Sequence, residues 1–289
     1  MLSFHALTLE DRERLLPMLL EKNGGMEYTF ANLYVYRHIY DTKVAYHDDG
    51  AVILFGARGA FLMPLGSIDP VSIAEQLSEH MENGLRFACV TEEDTRTLLD
   101  SFKGRSVTIT PQRDGEYVYR SRDLADLSGK KYHSKRNFCS RFERMYPDYS
   151  FELIDPENIS EVAEMNSAWY AENEGVSGEL SEDYACTTGC LKDYEKLGLK
   201  GALLRCSGKV VAWCCGEADS EGMFCTHVEK ALREAEGAYA VINRDFARLL
   251  ADDYEYINRE DDAGDEGLRR AKTSYHPAYI LRKNTVVIR

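Results

Sequence analysis

One order of secondary structure is written twice along this chain. From the start it reads as the strand SFHAL, a helix from about Glu10 to Glu21, a helical segment through TFANLYVYRHIY, and the strands TKVAYH, AVILFG and AFLMPL. A helix around Val71 to Met81, the strand LRFACV, a helix from about Glu93 to Phe102 and the strand SVTIT complete the set. The second half repeats it with SFELI, ENISEVAEMNSAWYAE, EDYACTTGCLKDYEKLG, KGALLRC, VVAWCCGEA, MFCTHVE, a helix from Tyr239 to Leu250, YEYIN, EGLRRAKTSY and AYILRK. The periods carry the assignment: Ile242, Phe246, Leu249 and Leu250 share one helical face, and Asp48, Asp49 and Gly50 make a hairpin turn between two alternating runs. A single core stops growing near the length of this chain, so a duplicated α+β unit is expected rather than one large domain. The copies span 1–118 and 149–289, with a junction segment at 119–148.

Composition narrows the class. With 44% hydrophobic and 29% charged residues the chain is of the globular type. Its best apolar stretch, Ala51 to Gly66, is short and interrupted by Arg58, so it cannot span a bilayer. The opening MLSFHALTLEDRERLL offers no signal-peptide core, and a cytoplasmic protein is expected. Eight cysteines are scattered without a CxxC pair. Cys186 and Cys190 can share a helix face but have no second ligand pair, so no metal site is expected, and Cys206, Cys214, Cys215 and Cys225 read as reduced core residues.

A net charge of −14 argues against nonspecific binding to nucleic acid or anionic lipid. The junction departs from it: KKYHSKRNFCSRFER holds six Lys or Arg against Glu143, interleaved with Tyr132, His133, Phe138 and Phe142. It is either a solvated helix face or an anion-binding surface, on which Lys130, Lys131, Lys135, Arg136, Asn137 and Arg141 are the candidate contacts. Near the end, YINREDDAGDEGLRRAKTSYHP places five polar residues after a strand and then a helix that Asp262 or Asp265 can cap, with acids early, bases late, and Asp265/Arg269 and Glu266/Arg270 spaced for pairing.

The repeated order resembles the N-acetyltransferase-like (GNAT) fold in tandem, each unit a mixed, mostly antiparallel sheet with flanking helices. YTFANLYVYR, GKKYHSKRNFCSRF, GAYAVINRDFA and YINREDDAGDEGLRRAKTSYHP resemble the phosphatidylglycerol lysyltransferase C-terminal-domain family over nearly the whole chain. The resemblance implies kinship with Fem-type aminoacyltransferases, which use aminoacyl-tRNA, without implying a lysyl lipid product, and the membrane-embedded half of the lipid-modifying enzymes is not expected here.

Acyl transfer needs a donor site, a base for the acceptor and donors for the oxyanion. In such a sheet YEYIN ends at the splayed centre, which makes Glu260 or Asp261 the expected base. Asn258 and Arg259 are expected to bind substrate, Lys272 to hold an oxyanion or phosphate, and Tyr275 to protonate a leaving group; the equal alternative is an inter-domain ion-pair network of Arg259, Glu260, Asp262, Arg269 and Lys272. The loop REAEGA corresponds to the coenzyme A pyrophosphate loop of acetyltransferases, but it offers only Gly237, and Glu234 and Glu236 would repel phosphate. The donor is therefore expected to be acyl-coenzyme A or, better, aminoacyl-tRNA. The competing expectation is a non-catalytic module that binds a small anionic ligand between its domains.

Overall fold

The computed structural model describes residues 2–77, 84–173 and 179–289. Its strands are β1 (His5–Ala6), β2 (Thr42–His47), β3 (Gly50–Phe55), β4 (Ala60–Phe61), β5 (Leu85–Thr91), β6 (Val107–Pro111), β7 (Glu116–Arg120), β8 (Ser150–Leu153), β9 (Lys200–Cys206), β10 (Lys209–Ser220), β11 (Met223–Ala231), β12 (Tyr256–Asn258), β13 (Tyr279–Leu281) and β14 (Lys283–Ile288). The helix expected around Val71 to Met81 is found as Pro70–Gln76, and its expected end at residues 78–83 lies outside the described residues.

The described strands form two seven-stranded sheets of matching design. The first runs β1-β2-β3-β4-β5-β14-β6 and the second, written from its corresponding edge, β8-β9-β10-β11-β12-β7-β13. Each is antiparallel except for one pair, β4 with β5 and β11 with β12. The duplication expected from the element order is thus present in space. Two strands outside that order, β7 and β14, have changed sides: β7 lies between β12 and β13, and β14 lies between β5 and β6. The expected boundary at 118 falls inside β7.

Alternation assigns each side chain to a layer. Leu203, Trp213, Cys215 and Val228 join a core that reaches Leu15 and Leu19 of the helix Arg12–Lys22 and continues into the first sheet. Their neighbours Leu204, Ala212 and Cys214 face the other way, against Val241, Ile242 and Phe246 of the helix Ala238–Leu250, with Phe142 of the junction helix His133–Met145. All eight cysteines are free and buried, as expected of core thiols.

The exchanged strands meet at the centre. Lys283 of β14 is buried between Glu27 and Glu116, the latter on β7, and Asn258 of β12 also donates to Glu116. Gly25 makes room for this cluster: at its φ of +84° an added Cβ would stand 2.7 Å from both Glu116 carboxylate oxygens. Burial raises the Glu116 carboxyl to about 7, while Lys283 holds Glu27 below its ordinary value despite burial.

Candidate active site

β11 and β12 run in parallel for three residues, from Met223 beside Tyr256 to Cys225 beside Asn258. β12 then stops while β11 continues to Ala231. The wedge this leaves is the splayed centre expected from the sequence. At the parting, β11 carries a bulge: Thr226 faces Gly216 and Val228 faces Cys215, so His227 is the extra residue. Across the wedge, Asn258 Oδ1 accepts the amide hydrogen of Glu260, and Glu260 takes the left-handed conformation at φ +58°. That turn aims the Glu260 side chain back at His227.

Two clefts meet at Glu260. The larger, about 680 Å³, is lined by Lys135, Trp169, His227, Lys230, Arg259 and Tyr275 among others, and the smaller, about 380 Å³, by Asn32, Tyr36, Tyr40, Arg58 and Asp261 among others; Glu260 lines both. Its Oε1 is 2.8 Å from His227 Nδ1 and accepts from Asn32 Nδ2 at 2.8 Å. His227 Nε2 lies 3.2 Å from Glu217 Oε1, which also accepts the Ala31 amide at 2.6 Å. Carboxylates on both sides of one ring call for a donor at each nitrogen, so His227 is an imidazolium. Burial works against that charge, but Cys225, Glu217 and Glu260 outweigh it and hold the imidazole well above its ordinary range. Burial also raises the Cys225 thiol well above its ordinary value.

Cys225, His227 and Glu260 bring their ligand atoms within 4.8 Å of one another, a set whose chemistry suits zinc. Tetrahedral zinc ligands stand roughly 3.3 Å or more apart. The 2.8 Å between His227 and Glu260 is a hydrogen bond, and the second ring nitrogen is engaged by Glu217. The group as it stands shares protons rather than a metal.

The expected site residues divide. Arg259, Glu260, Lys272 and Tyr275 all line the larger cleft. Arg259 pairs with Glu229 at 2.8 Å and lies over the Tyr275 ring. Lys272 Nζ donates to the backbone carbonyls of Arg259, at 2.6 Å, and of Asp261, and burial lowers its pKa. Burial raises the Tyr275 hydroxyl, which therefore keeps its proton. Asp261 faces only the smaller cleft, and its carboxyl is raised by burial. Asn258 is fully buried, lines neither cleft, and shapes the turn through its bonds to Glu116 and the Glu260 amide.

Of the basic junction residues and Asn137 named as candidate contacts, Lys135 lines the cleft, 3.9 Å over the Tyr275 ring, and burial together with Arg259 lowers its pKa to about 8. Lys131 pairs with Asp123, Arg136 donates to the carbonyls of Leu127 and Gly129, Asn137 contacts His133, and Arg141 pairs with Glu236. Lys130 is exposed. Gly237 lines the cleft, yet a Cβ there would lie 2.7 Å from the carbonyl of Phe138, and the next amide, Ala238, already donates to Ala235. Close packing of the junction helix accounts for this glycine without a phosphate. His227, Glu217, Asn32 and Glu229 were not among the expected residues. The available signal was a lone histidine in the apolar run MFCTHVE, and the bulge that turns it into the wedge is a property of strand pairing.

The phosphatidylglycerol lysyltransferase, C-terminal family matches residues 19–286, nearly the whole of this architecture. The chain belongs to that family. A conserved protein of unknown function from Bacteroides thetaiotaomicron is 33% identical, with a TM-score of 0.93 and 100% of each chain covered. L-PGS from Bacillus licheniformis, at 19% identity and TM-score 0.65 over 96% of this chain and 91% of that one, shares the fold. So does FemX, at 10% identity and TM-score 0.57 over 99% and 97%. An uncharacterised protein from Mycoplasmoides gallisepticum is 21% identical over 185 residues, 63% of this chain but only 59% of that relative. The fold is therefore GNAT-like in tandem, and the lysyltransferase family relates the chain to acyltransferases. Among the described residues no helix is long and apolar enough to cross a membrane.

Proposed function

We propose that this protein transfers an acyl group from an aminoacyl ester, of the kind carried by tRNA, to an amine or hydroxyl acceptor, with Glu260 as the base. The observation that carries the reading is the place of Glu260, facing two clefts at once and oriented by His227 and Asn32. A two-substrate transfer needs its base where donor and acceptor meet. The acceptor nitrogen or oxygen bonds to the acyl carbon as its proton passes to Glu260. The third N–H of Lys272 is free to meet the oxyanion, its other two being held by carbonyls. The ester C–O bond then breaks, and Tyr275, protonated and in the cleft, gives its proton to the leaving hydroxyl and regains one from solvent as Glu260 releases the proton it took, which returns both groups to their starting state.

An ester donor is favoured over a coenzyme A thioester by Gly237, whose neighbour Ala238 spends its amide on Ala235, and by Glu234 and Glu236 beside it. Lysine and phosphatidylglycerol belong to the name of the family; the amino acid and acceptor of this member are set by its own clefts. The test is release of amino acid from a panel of aminoacyl-tRNAs with hydroxylamine as a generic acceptor, counting hydroxamate above the protein-free rate. Glu260→Gln should lower that rate by about 10²- to 10⁴-fold with the fold intact. Equal rates in both proteins, or turnover with acetyl-coenzyme A instead, would overturn the reading.

A further inference from the structure

The larger cleft also holds an arrangement that the proposed acyl transfer does not use. Trp169 and Tyr170 of the helix Ile159–Glu172 turn their rings toward one point, the rings 4.9 Å apart and at 80° to each other. Asp183 of the helix Glu179–Lys192 closes the third side, and its Oδ2 accepts the Tyr170 hydroxyl at 2.5 Å. Trp169 is steadied from outside, its Nε1 donating to the Tyr239 hydroxyl at 3.0 Å. Two ring faces and a carboxylate around one point make a receptor for an ammonium group. The occupant belongs to the chain itself: Lys230 Nζ sits 4.0 Å over Trp169, 5.0 Å from the Tyr170 ring centre and 2.6 Å from Asp183 Oδ2. Trp169, Asp183 and Lys230 all line the cleft.

We infer that Lys230 determines specificity by filling this ammonium box from within, so that the cleft selects acyl donors whose side chains are uncharged or acidic and rejects cationic ones. The inference rests on the proposal that the larger cleft takes the donor. A donor whose side chain ends in an ammonium or guanidinium would have to displace Lys230 from two rings and a carboxylate, or meet it as a like charge at close range. A neutral side chain meets neither cost. Without Lys230, the same box would be left with its rings and carboxylate in place and would accept an ammonium from solution.

The experiment reads the box directly. Wild-type protein and Lys230→Ala are titrated with n-butylammonium chloride, which carries an ammonium on a chain one carbon longer than the fragment removed, and with 1-butanol, which has its shape without the charge. Indole resonances of Trp169 and the thermal midpoint are followed. Lys230→Ala should bind n-butylammonium at least tenfold more tightly than wild type does and tenfold more tightly than it binds 1-butanol; adding Asp183→Asn should abolish the preference for charge. Equal response of wild type and Lys230→Ala, or no preference for the ammonium, overturns the inference. A second measurement needs no variant: ligand-observed NMR on wild-type protein with methyl esters of alanine, serine, glutamate, lysine and arginine, which share the α-ammonium, should rank the two with cationic side chains at least tenfold below the others. Esters with cationic side chains binding as well as those with neutral ones also overturn it. Binding of none of the esters counts instead against the donor reading, and the butylammonium titration then decides the box by itself.

Discussion

Lys135 illustrates how a surface-type residue becomes a site residue. It sits in a basic run, but its helix carries it inward to the cleft, where burial and Arg259 depress its pKa from 10.5 to about 8. Below pH 8 the folded and unfolded chains both hold the proton, so folding bears the whole cost of a buried charge. Between about 8 and 10.5 the unfolded chain binds more protons, and stability rises with pH. Lys135→Met, which keeps the stem and drops the charge, should therefore raise stability at pH 7 by about 1 kcal/mol, allowing for the part of the side chain that water reaches. The gain should shrink above pH 8, as thermal melts across that range would show; a gain independent of pH would mean that packing, not charge, is responsible. In the smaller cleft Asp261 is separated from His227 by the turn at Glu260, so of the two acids expected as base only Glu260 touches the relay.

The helix Glu266–Thr273 shows which local rules survived packing. Asp265 is its cap, accepting the Leu268 amide at 2.7 Å, whereas Asp262, the other candidate, is buried and bound to Arg269 and Tyr117. Arg269, expected to pair with Asp265 one turn back, reaches Asp262 and Asp114 instead and so ties the helix to the strand connection before β7. Those contacts lower the Asp262 carboxyl to about 2, with Arg269 the main cause. Lys272 is likewise no surface charge at a helix end: it pins the loop before the helix through two carbonyls. Asp265→Ala should cost about 1 kcal/mol, as loss of a cap does. Lys272→Met should cost more, about 1.5 to 3 kcal/mol, because charge-assisted bonds to buried carbonyls are lost. Denaturant unfolding of the pair checks the order, and equal costs would return Lys272 to the role of a dipole complement.

The two copies are locked together by what they exchange. β14 completes the first sheet and β7 the second, and Lys283 of one strand is paired with Glu116 of the other inside the molecule. The two sheets should therefore melt as one unit. Lys283→Met leaves Glu27 and Glu116 buried without their cation and should cost about 3 to 5 kcal/mol, with the loss felt in both sheets. Adding Glu116→Gln removes one of the stranded charges and should recover part of it, a double-mutant cycle read in one cooperative transition. Two separate transitions would show that the strand exchange does not couple the copies.

The element order, the duplication and the family were legible in the residues because they rest on short-range periods: alternation in TKVAYH and VVAWCCGEA, the apolar face of Ile242 and Phe246, and turns such as Asp48 to Gly50. The wedge at Asn258 and the cleft positions of Glu260, Lys272 and Tyr275 followed from that order. Strand partners did not, since EYVYR and KNTVVI have the same pattern whichever sheet takes them in. Only the tertiary structure decided that β7 and β14 would cross, that a bulge would turn His227 toward Glu260, and that Trp169, Asp183 and Lys230 would converge from three elements. Those outcomes depend on register and on contacts between residues far apart in the chain, where one added residue in β11 redirects a side chain and a local pattern carries no record of it.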